Sequence, residues 1–274
     1  HGRLVFENQS AFGDCLNWIF DHQSSPEIID EYLNELSYTS MMEVYKIGMS
    51  LDKNSEEIGK FCKSHPSVFV ENKSHESLLY ELQVPSILAY IANENGIYQV
   101  GKKIIRVSSI GTIAILNGDE SKLPNLFKPS ESVTDPYIEV IPAGGSKGEY
   151  SYRTSYFEDK HRLVARLRSE AIGYMYYYFA RSTAQKKNWM GIWVQEDIST
   201  LNLSWPGGGF YTEGGQAGRI GSASFSISNN SDLEEVVVFS NYPIVFDQSS
   251  CIALHTGVRS SVYREVADNE VFPD

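Results

Sequence analysis

The sequence has few cysteines and no long apolar run, and both deficits narrow the class of protein. A transmembrane helix needs about 20 consecutive apolar residues, and no such run occurs, so no membrane span is expected. The three cysteines, Cys15, Cys62 and Cys251, are far apart and include no C-x-x-C pair. Because the count is odd, they cannot all pair within one chain, and buried free thiols are expected.

Patterns that hold metals or cofactors are missing as well. The six histidines are scattered, without the H-x-x-x-H or H-E-x-x-H spacing of short zinc motifs. His65 and His75 lie in an irregular segment that gives them no such spacing. The glycine-rich residues 206–218 contain no Gly-Lys-Ser/Thr, and no strand–turn–helix pattern surrounds them, as phosphate and dinucleotide sites require. We therefore expect no metal and no cofactor.

Positive charge is also scarce, with 23 Lys and Arg against 35 Asp and Glu and a net charge of −12. A protein this acidic repels phosphate backbones unless it carries a local basic patch. Two segments could supply one, residues 160–168 and Lys186-Lys187, and both are interpreted as solvent-exposed faces. Nucleic acid and anionic membranes are therefore not expected as partners.

What is present is typical of a globular chain with a sizeable core. The 274 residues are 42% hydrophobic and 21% charged, enough for one large domain or two smaller ones. Aromatic residues reach 12% and include 17 tyrosines. Tyrosine suits binding surfaces because it joins an apolar ring to a polar tip, but tyrosine-rich sheets also occur as plain structure.

Residues 84–116 hold the clearest local pattern in the chain. Pro85 suits the first turn of a helix, and the apolar residues after it recur at helical spacing. Residues 93–96, Asn-Glu-Asn-Gly, predict the end of that helix because Asn and Gly tolerate the left-handed backbone. Strands are then predicted at 97–100, 103–108 and 112–116, joined by tight turns. The stretch therefore predicts a helix that leads into a β-meander.

Within this stretch, the segment IANENGIYQVGKKIIRV resembles a motif of secreted or lipid-anchored proteins of gut Bacteroides. The matching residues are Ala92, Asn93, Gly96, Gln99, Val100, Gly101 and Arg106. The upstream helices and the tyrosine-rich second half are also similar in layout to that group. The group consists of domains of unknown function, so the resemblance implies no catalytic residue. It implies a secreted or envelope-attached protein, with a leader removed ahead of His1.

Four helices are predicted upstream of the meander. They are expected at residues 9–22, 25–36, 39–49 and 55–62. Ser10 is the expected cap of the first, and Ser25-Pro26 is a strong start for the second. The third carries three of the five methionines, which fill cores more often than they form adaptable binding surfaces. Residues 74–82 are interpreted as another helical turn or two.

Beyond the meander, three prolines predict a loop, and the glycine-rich residues 142–148 suggest a boundary between residues 1–142 and residues 143–274. A strand is predicted at 138–141. Downstream of the boundary, strands are expected at 150–157, 163–167, 174–179, 189–195, 199–204, 219–228, 235–240, 252–256 and 261–266. Many short strands with turns between them favour a sandwich. The expected fold class is α+β: N-terminal helices leading into a β-meander, then a C-terminal antiparallel β-sandwich.

No candidate for catalysis has a motif behind it. Cys251 and His255 would share a face of a strand, but a buried thiol and a satisfied histidine are the commoner interpretation. A glycoside hydrolase needs two opposed carboxylates. The acids near the aromatic loop and at the strand starts are Glu196, Asp197, Glu213, Glu234 and Glu235. Acids are commonplace at strand ends, so no catalytic residue is assigned.

The most unusual feature of the second half is the glycine-rich loop of residues 206–218. It follows Trp205 and holds Phe210 and Tyr211, which could form a rim that stacks on sugar or another ligand. Trp189 and Trp193 are candidates for the same role, since they share a face if their segment is a strand. The alternative is a loop over a β-core in which the tryptophans are buried.

Two functions of different class follow. The first is a non-enzymatic, secreted or surface-attached protein with a binding or structural role, whose partner is a glycan or a cell-surface protein. The second is a hydrolase acting on glycan or cell-wall material. A deep cleft with paired acids would favour the hydrolase, and a flat aromatic face without a perturbed acid would favour binding. A subunit of a larger assembly is a third option, marked by an exposed edge strand or apolar patch.

Overall fold

The computed structural model describes most of the chain. The residues outside the description are 1, 52–55, 74–76, 129–134, 143–148, 157–159, 173–174, 206–209, 213–218, 221–222, 241–243, 247–252, 260–265 and 272–274. The described residues form helices followed by many strands in mixed sheets, which confirms the α+β class. None of the helices within the described part has the length and apolar character needed to cross a bilayer.

The helices lie mainly in the first third of the chain. They are α1 (Gln9–Asp21), α2 (Pro26–Glu35), α3 (Met41–Met49), α4 (Glu56–Ser64) and α5 (Ser86–Ile91), with a 3-10 helix at Glu120–Phe127. The predicted cap of α1 is wrong by two residues: Asn8 Oδ1, rather than Ser10, accepts a hydrogen bond from the Ala11 amide at 3.0 Å. The 3-10 helix replaces part of the predicted loop, since Asp119 caps it through the Ser121 amide.

The strands of the described residues make up four sheets. They are β1 (Val5–Phe6), β2 (Phe69–Lys73), β3 (Ser77–Leu82), β4 (Ile97–Val100), β5 (Lys103–Ser108), β6 (Gly111–Ile115), β7 (Ile138–Pro142), β8 (Glu149–Tyr156), β9 (His161–Ile172), β10 (Met175–Lys187), β11 (Trp193–Gln195), β12 (Ile198–Trp205), β13 (Phe210–Thr212), β14 (Arg219–Ile220), β15 (Ala223–Asn230), β16 (Asp232–Ser240), β17 (Ile244–Phe246), β18 (Ala253–Val258) and β19 (Val266–Val271).

The predicted meander is confirmed. Strands β4, β5 and β6 pair antiparallel in sequence order, and β1 and β7 complete a five-stranded sheet. Gly96 joins α5 to β4 with a φ of +80°, and a Cβ there would lie 2.5 Å from the carbonyl oxygen of Val107. The left-handed backbone and the close approach therefore both require glycine at this position.

The largest sheet takes strands from both halves of the chain. Its path runs β14-β16-β10-β11-β3-β2, and β9 pairs with β10 and with β8. The predicted helical turns at 74–82 are wrong, because Ser77–Leu82 forms β3, which pairs with β2 on one side and β11 on the other. These two neighbours satisfy the backbone groups that a helix would have paired internally. The division into residues 1–142 and 143–274 stays a prediction, and its boundary lies outside the described residues.

A second sheet, β15-β12-β18-β19, packs against the largest one as the predicted sandwich. A Cβ at Gly257 of β18 would lie 3.6 Å from Leu163 of β9, so the two sheets approach closely there. Strands β13 and β17 form a separate pair. One strand prediction needs correction: Trp189 lies in a turn, so β11 begins only at Trp193. Most of the strand predicted at 261–266 lies outside the described residues, and β19 begins at Val266.

The main core lies between the helices and the largest sheet. Its most buried side chains have an exposed fraction of at most 2%. They include Phe12 and Leu16 of α1, Ile87 of α5, and Tyr177 and Phe179 of β10. Each such side chain contributes about 1.5–3 kcal/mol on burial. Cys62 is buried and Cys15 half-buried, both as free thiols, which confirms that prediction for these two, while Cys251 lies outside the described residues.

Candidate functional site

A cleft of about 370 Å³ opens between the helices and the turn that joins β15 to β16, which we call the β15–β16 corner. Its walls come from Gln23, α2, α3 and α5 on one side and from β15 and β16 on the other, with Leu82 and Asp197 at the margins. Volumes of this order are typical of small-molecule sites. We take this cleft as the candidate functional site.

Helix α3 supplies one wall through a single face. The residues that line the cleft are Met42, Tyr45, Lys46, Met49 and Ser50, which recur at the spacing of one helical stripe. Ser40 fixes the start of the helix, because its hydroxyl accepts a hydrogen bond from the Glu43 amide at 3.1 Å. The methionines predicted on this helix thus divide: Met41 is fully buried in the core, and Met42 and Met49 face the cleft.

The β15–β16 corner supplies the opposite wall. Asn229 adopts a left-handed backbone with φ of 51°, and Asn230 Oδ1 accepts hydrogen bonds from the amides of Ser231 and Asp232. This tight turn places Asp232 at the start of β16. Farther along β16, Gln23, which follows α1, exchanges two hydrogen bonds of 3.0 Å with the backbone of Val236, beside a register shift in the pairing with β10. The first half of β16 is therefore fixed at both ends.

A buried ion-pair network lies behind this wall. Arg181 of β10 is 2% exposed and binds Asp232 through two hydrogen bonds of 2.7 and 2.6 Å. The same guanidinium lies 3.0 Å from Glu81 and 3.9 Å from Glu234. Arg166 of β9 also pairs with Glu81, at 3.1 Å. Burial alone would lower the pKa of Arg181, but Asp232 and Glu81 raise it well above its usual value.

Two neutral donors complete the shell of Asp232. The Tyr45 hydroxyl donates to Oδ2 at 2.8 Å, and the Thr183 hydroxyl donates to Oδ1 at 3.0 Å. Burial, and then the Asp232 carboxylate, raise the pKa of Tyr45 well above its usual value, so this phenol keeps its proton. The network thereby ties α3, β10 and β16 to one another.

Glu235 is an acid of the cleft whose environment perturbs its pKa. Burial, and then the neighbouring Glu234 carboxylate, raise the pKa of Glu235 well above its usual value, and Lys46 only partly opposes this. Lys46 itself binds Asp30 through contacts of 2.8 and 2.6 Å and lies 5.1 Å from the centre of the Tyr90 ring. Glu235 therefore holds its proton to a higher pH than an exposed glutamate does.

Ser86 offers an unused hydroxyl in the same cleft. The residue is 5% exposed and lines the cleft at the first position of α5. Among the described residues, none hydrogen-bonds to its Oγ atom. A buried hydroxyl without a partner is unfavourable, so this atom suits a ligand or water that enters the cleft.

The structure separates the aromatic residues predicted to bind a ligand. Trp189 is 91% exposed in the turn after β10, whereas Trp193 in β11 is buried and packed beneath the cations of Arg162 and Lys187. Trp205 is the last residue of β12. It lies seven residues beyond Ile198, the first residue of that strand, and therefore about 23 Å from it. Phe210 and Tyr211 pair with β17. The side chains of Trp205, Phe210 and Tyr211 lie outside the description, and their role stays a prediction.

The candidate acids also divide. Asp197, Glu234 and Glu235 line the cleft, while Glu196 joins a separate cluster with His161 at 3.2 Å and Lys186 at 3.4 Å. Glu213, Cys251 and His75 lie outside the described residues. His65, just after α4, donates from Nδ1 to the Phe61 carbonyl oxygen at 2.9 Å. Within the described ranges, no three potential ligands among His, Cys, Asp and Glu gather closely enough to hold a metal ion.

Sequence reasoning missed the cleft and the residues that give it its character. Tyr45, Ser86 and Asp232 carry no motif, and they meet only because strands and helices distant in sequence pack together. One signal was available, the helical spacing of Met42, Lys46 and Met49, which mixes a charge into an apolar stripe. A charge in such a stripe is typical of a helix face that is not wholly core.

No model of a known protein family matches the chain, and no curated protein matches it either. Among solved structures, the chain is similar to a DUF4848 family protein from Bacteroides thetaiotaomicron. The two share 14% sequence identity, the alignment covers 98% of this chain and 97% of the other, and the TM-score is 0.33. Membership of a particular family stays a prediction.

Proposed function

We propose that the chain is a non-enzymatic binding protein and that its cleft takes a small polyhydroxylated ligand, such as a fragment of a glycan. The observation that carries the proposal is the buried Ser86 hydroxyl, which lacks a partner among the described residues and faces a lining rich in hydrogen-bond acceptors. A ligand with many hydroxyl groups can donate to those acceptors and accept from Ser86.

The lining supports this choice of ligand in two ways. Asp197 and Asn229 line the cleft, and sugar hydroxyls could donate to their carboxylate and amide oxygens. The phenol ring of Tyr90 and the thioethers of Met42 and Met49 supply apolar surface on the helix side, which suits the C–H faces of a sugar ring. A cleft with a few polar groups on apolar walls is the usual form of a small-ligand site.

We also propose a secreted or envelope-attached location, supported by the resemblance of residues 92–106 to proteins of that kind. In that setting the ligand is a glycan of the surroundings, and a cell-surface protein is the alternative partner. Trp205, Phe210 and Tyr211 are proposed as a second contact for a longer glycan, away from the cleft.

A second candidate function, glycan hydrolysis, is favoured by the state of Glu235. A carboxyl group whose pKa is raised by burial, next to another acid in a cleft, is the environment of a general acid in glycosidases. In this alternative Glu235 donates a proton to the leaving oxygen, and Glu234 or Asp197 supplies the second carboxylate.

The proposed function is tested by a glycan-array screen of the intact chain, followed by calorimetric titration of the best ligand. Asp197→Asn and Ser86→Ala alter the cleft, Trp205→Ala and Tyr211→Ala alter the aromatic residues, and Glu94→Gln is the control because that acid is exposed and distant. Asp197→Asn is expected to weaken binding at least about tenfold, since a hydrogen bond to a charged group is worth about 1.5–3 kcal/mol. Absence of binding to any sugar, or equal binding by both cleft variants, would contradict the proposal.

Product analysis separates the two candidate functions. Each glycan that binds is incubated with the wild-type chain and with Glu235→Gln, and the reducing ends are counted. The binding proposal expects no new reducing ends with either protein. Release of reducing ends by the wild type and its loss in Glu235→Gln, with binding retained, would replace the binding function by hydrolysis.

A further inference from the structure

The two basic segments of the sequence meet at one end of the largest sheet. Lys160 immediately precedes β9, and its carbonyl oxygen accepts a hydrogen bond of 2.9 Å from the amide of Lys187 at the end of β10. Lys186 pairs with His161 across the same strands. The expectation that both segments are solvent-exposed faces is corrected in part, because Arg162 is buried, Arg166 pairs with Glu81, and Lys186 lies 3.4 Å from Glu196. Lys160 and Lys187 remain exposed and form one basic margin.

An apolar apex rises from this margin. We call residues 188–192, between β10 and β11, the hairpin tip. Asn188 closes it, because its Oδ1 atom accepts hydrogen bonds of 3.0 Å from the amides of Met190 and Ile192, and its own amide donates to the Ile192 carbonyl at 2.8 Å. Trp189 is 91% exposed and Met190 is 56% exposed. The tip thus presents two large apolar side chains to solvent on a defined turn.

The base of the hairpin tip is firmly packed. Trp193 is 4% exposed, with the Arg162 guanidinium 4.3 Å and the Lys187 ammonium 5.1 Å from its ring centre. Tyr156, at the end of β8, is 66% exposed and its ring lies 5.9 Å from that of Trp193. The apex is therefore apolar, its margin carries exposed lysines and a tyrosine, and the whole group rests on a rigid sheet.

We infer that the hairpin tip docks on an anionic lipid bilayer, with Trp189 and Met190 among the head groups and Lys160 and Lys187 facing anionic phosphates. Tryptophan, tyrosine and lysine are the residues that settle at the membrane–water boundary. A protruding apolar turn can insert among lipid head groups, whereas a sugar that stacks on aromatic rings needs a flat aromatic face. With a net charge of −12 the protein as a whole is repelled by an anionic bilayer, so an approach needs a local group of exposed cations such as this one.

The docking is tested by sedimentation of the intact chain with two kinds of vesicle, phosphatidylcholine mixed with phosphatidylglycerol and phosphatidylcholine alone. Binding is expected to the mixed vesicles only, with a shift of tryptophan emission to shorter wavelength. The double variant Trp189→Ser with Met190→Ser is expected to lose at least about tenfold in binding, because the inserted apolar area is removed. Lys160→Gln and Lys187→Gln are each expected to lose about fivefold at low salt.

Ile110→Ser is the matched control, since Ile110 is 78% exposed in the turn between β5 and β6. It should bind like the wild type, and all the variants should keep the wild-type unfolding temperature because the changed side chains are exposed. Failure of the wild type to bind the mixed vesicles would overturn the inference. Full binding by the double variant would overturn it too. Heparin binding is measured alongside vesicle binding. If only the lysine variants lose binding, and lose it equally for heparin and vesicles, the basic margin binds soluble polyanions instead of a bilayer.

Discussion

Replacing Arg181 by methionine is expected to destabilise the protein by about 4 kcal/mol. Arg181 is 2% exposed, and its removal leaves Asp232 buried with only the hydroxyls of Tyr45 and Thr183 as side-chain donors. Breaking a buried ion pair from one side costs about 3–5 kcal/mol, because the remaining charge has lost its partner away from water. Arg166 still pairs with Glu81, so the second carboxylate keeps a cation and the effect stays within this range.

Urea unfolding followed by circular dichroism measures the effect as a lower midpoint at an unchanged slope. The loss would be a large part of the 5–15 kcal/mol that stabilises a typical protein. The double variant Arg181→Met with Asp232→Asn should lose clearly less than the sum of the two single variants, because it removes both charges of the pair. Lys60→Met is the control, since the Lys60–Glu56 pair is on the surface and worth about 0.5 kcal/mol at most.

Either of two results would refute this reasoning. A loss below about 1 kcal/mol in Arg181→Met would mean that the network is no stronger than a surface pair. Strict additivity in the double variant would mean that Arg181 and Asp232 do not interact across their 2.6 Å contact.

Three further results are expected. The raised pKa of Glu235 means that the folded state binds this proton more tightly than the unfolded state does. The stability that the protonated Glu235 contributes is therefore fully present below about pH 4.5. It falls by up to about 1.4 kcal/mol per pH unit as the pH rises toward the pKa of Glu235 in the folded state. The gap between Glu235→Gln and the wild type in thermal unfolding should therefore shift in favour of the variant from pH 4 upward, and a pH-independent gap would contradict it. Gly96→Ala should lose more stability in urea unfolding than Gly101→Ala, although both glycines have positive φ. The reason is that a Cβ at Gly96 would lie 2.5 Å from the Val107 carbonyl oxygen, whereas a Cβ at Gly101 would lie 3.6 Å from that of Glu7. Equal losses would show that the close approach has no effect on stability. Burial raises the pKa of Cys15 from 9.0 to about 11. At pH 8 the folded thiol should therefore react with iodoacetamide about 100-fold more slowly than the thiol in urea, because the thiolate is the reactive form. Mass spectrometry of the Cys15 peptide measures both rates, and equal rates would contradict the prediction.

The elements that the sequence predicted well are those defined by contacts between neighbours in the chain. The meander at 97–115 follows from tight turns at Gly101 and Gly111, each of which adopts the positive φ that glycine permits. Helix α2 likewise begins at Pro26, as its Ser-Pro start indicated. Both depend on local backbone preference, which a single sequence carries in full.

The elements that it predicted poorly depend on partners far along the chain. Residues 77–82 contain Leu-Leu-Tyr-Glu-Leu, which suits a helix as well as a strand, and the pairing of β3 with β11, more than a hundred residues away, decides for the strand. Trp189 was placed on a strand because aromatic and apolar neighbours surround it, while the two hydrogen bonds to Asn188 make its segment a turn. The cleft was missed for the same reason, since Tyr45 and Asp232 are 187 residues apart.

Some residues that line the cleft also hold β16 in place, and this limits which variants can test ligand binding. Asp232 and Glu234 point toward Arg181 and fix the start of β16 on β10, so a variant at either changes stability as well as the lining. Loss of binding in such a variant would not separate a ligand contact from a displaced wall. Ser86 and Asp197 differ, because the first has no partner among the described residues and the second is exposed at the margin. A change in affinity at these two positions, with the unfolding midpoint unaltered, therefore reports on the ligand itself and on nothing else in the network.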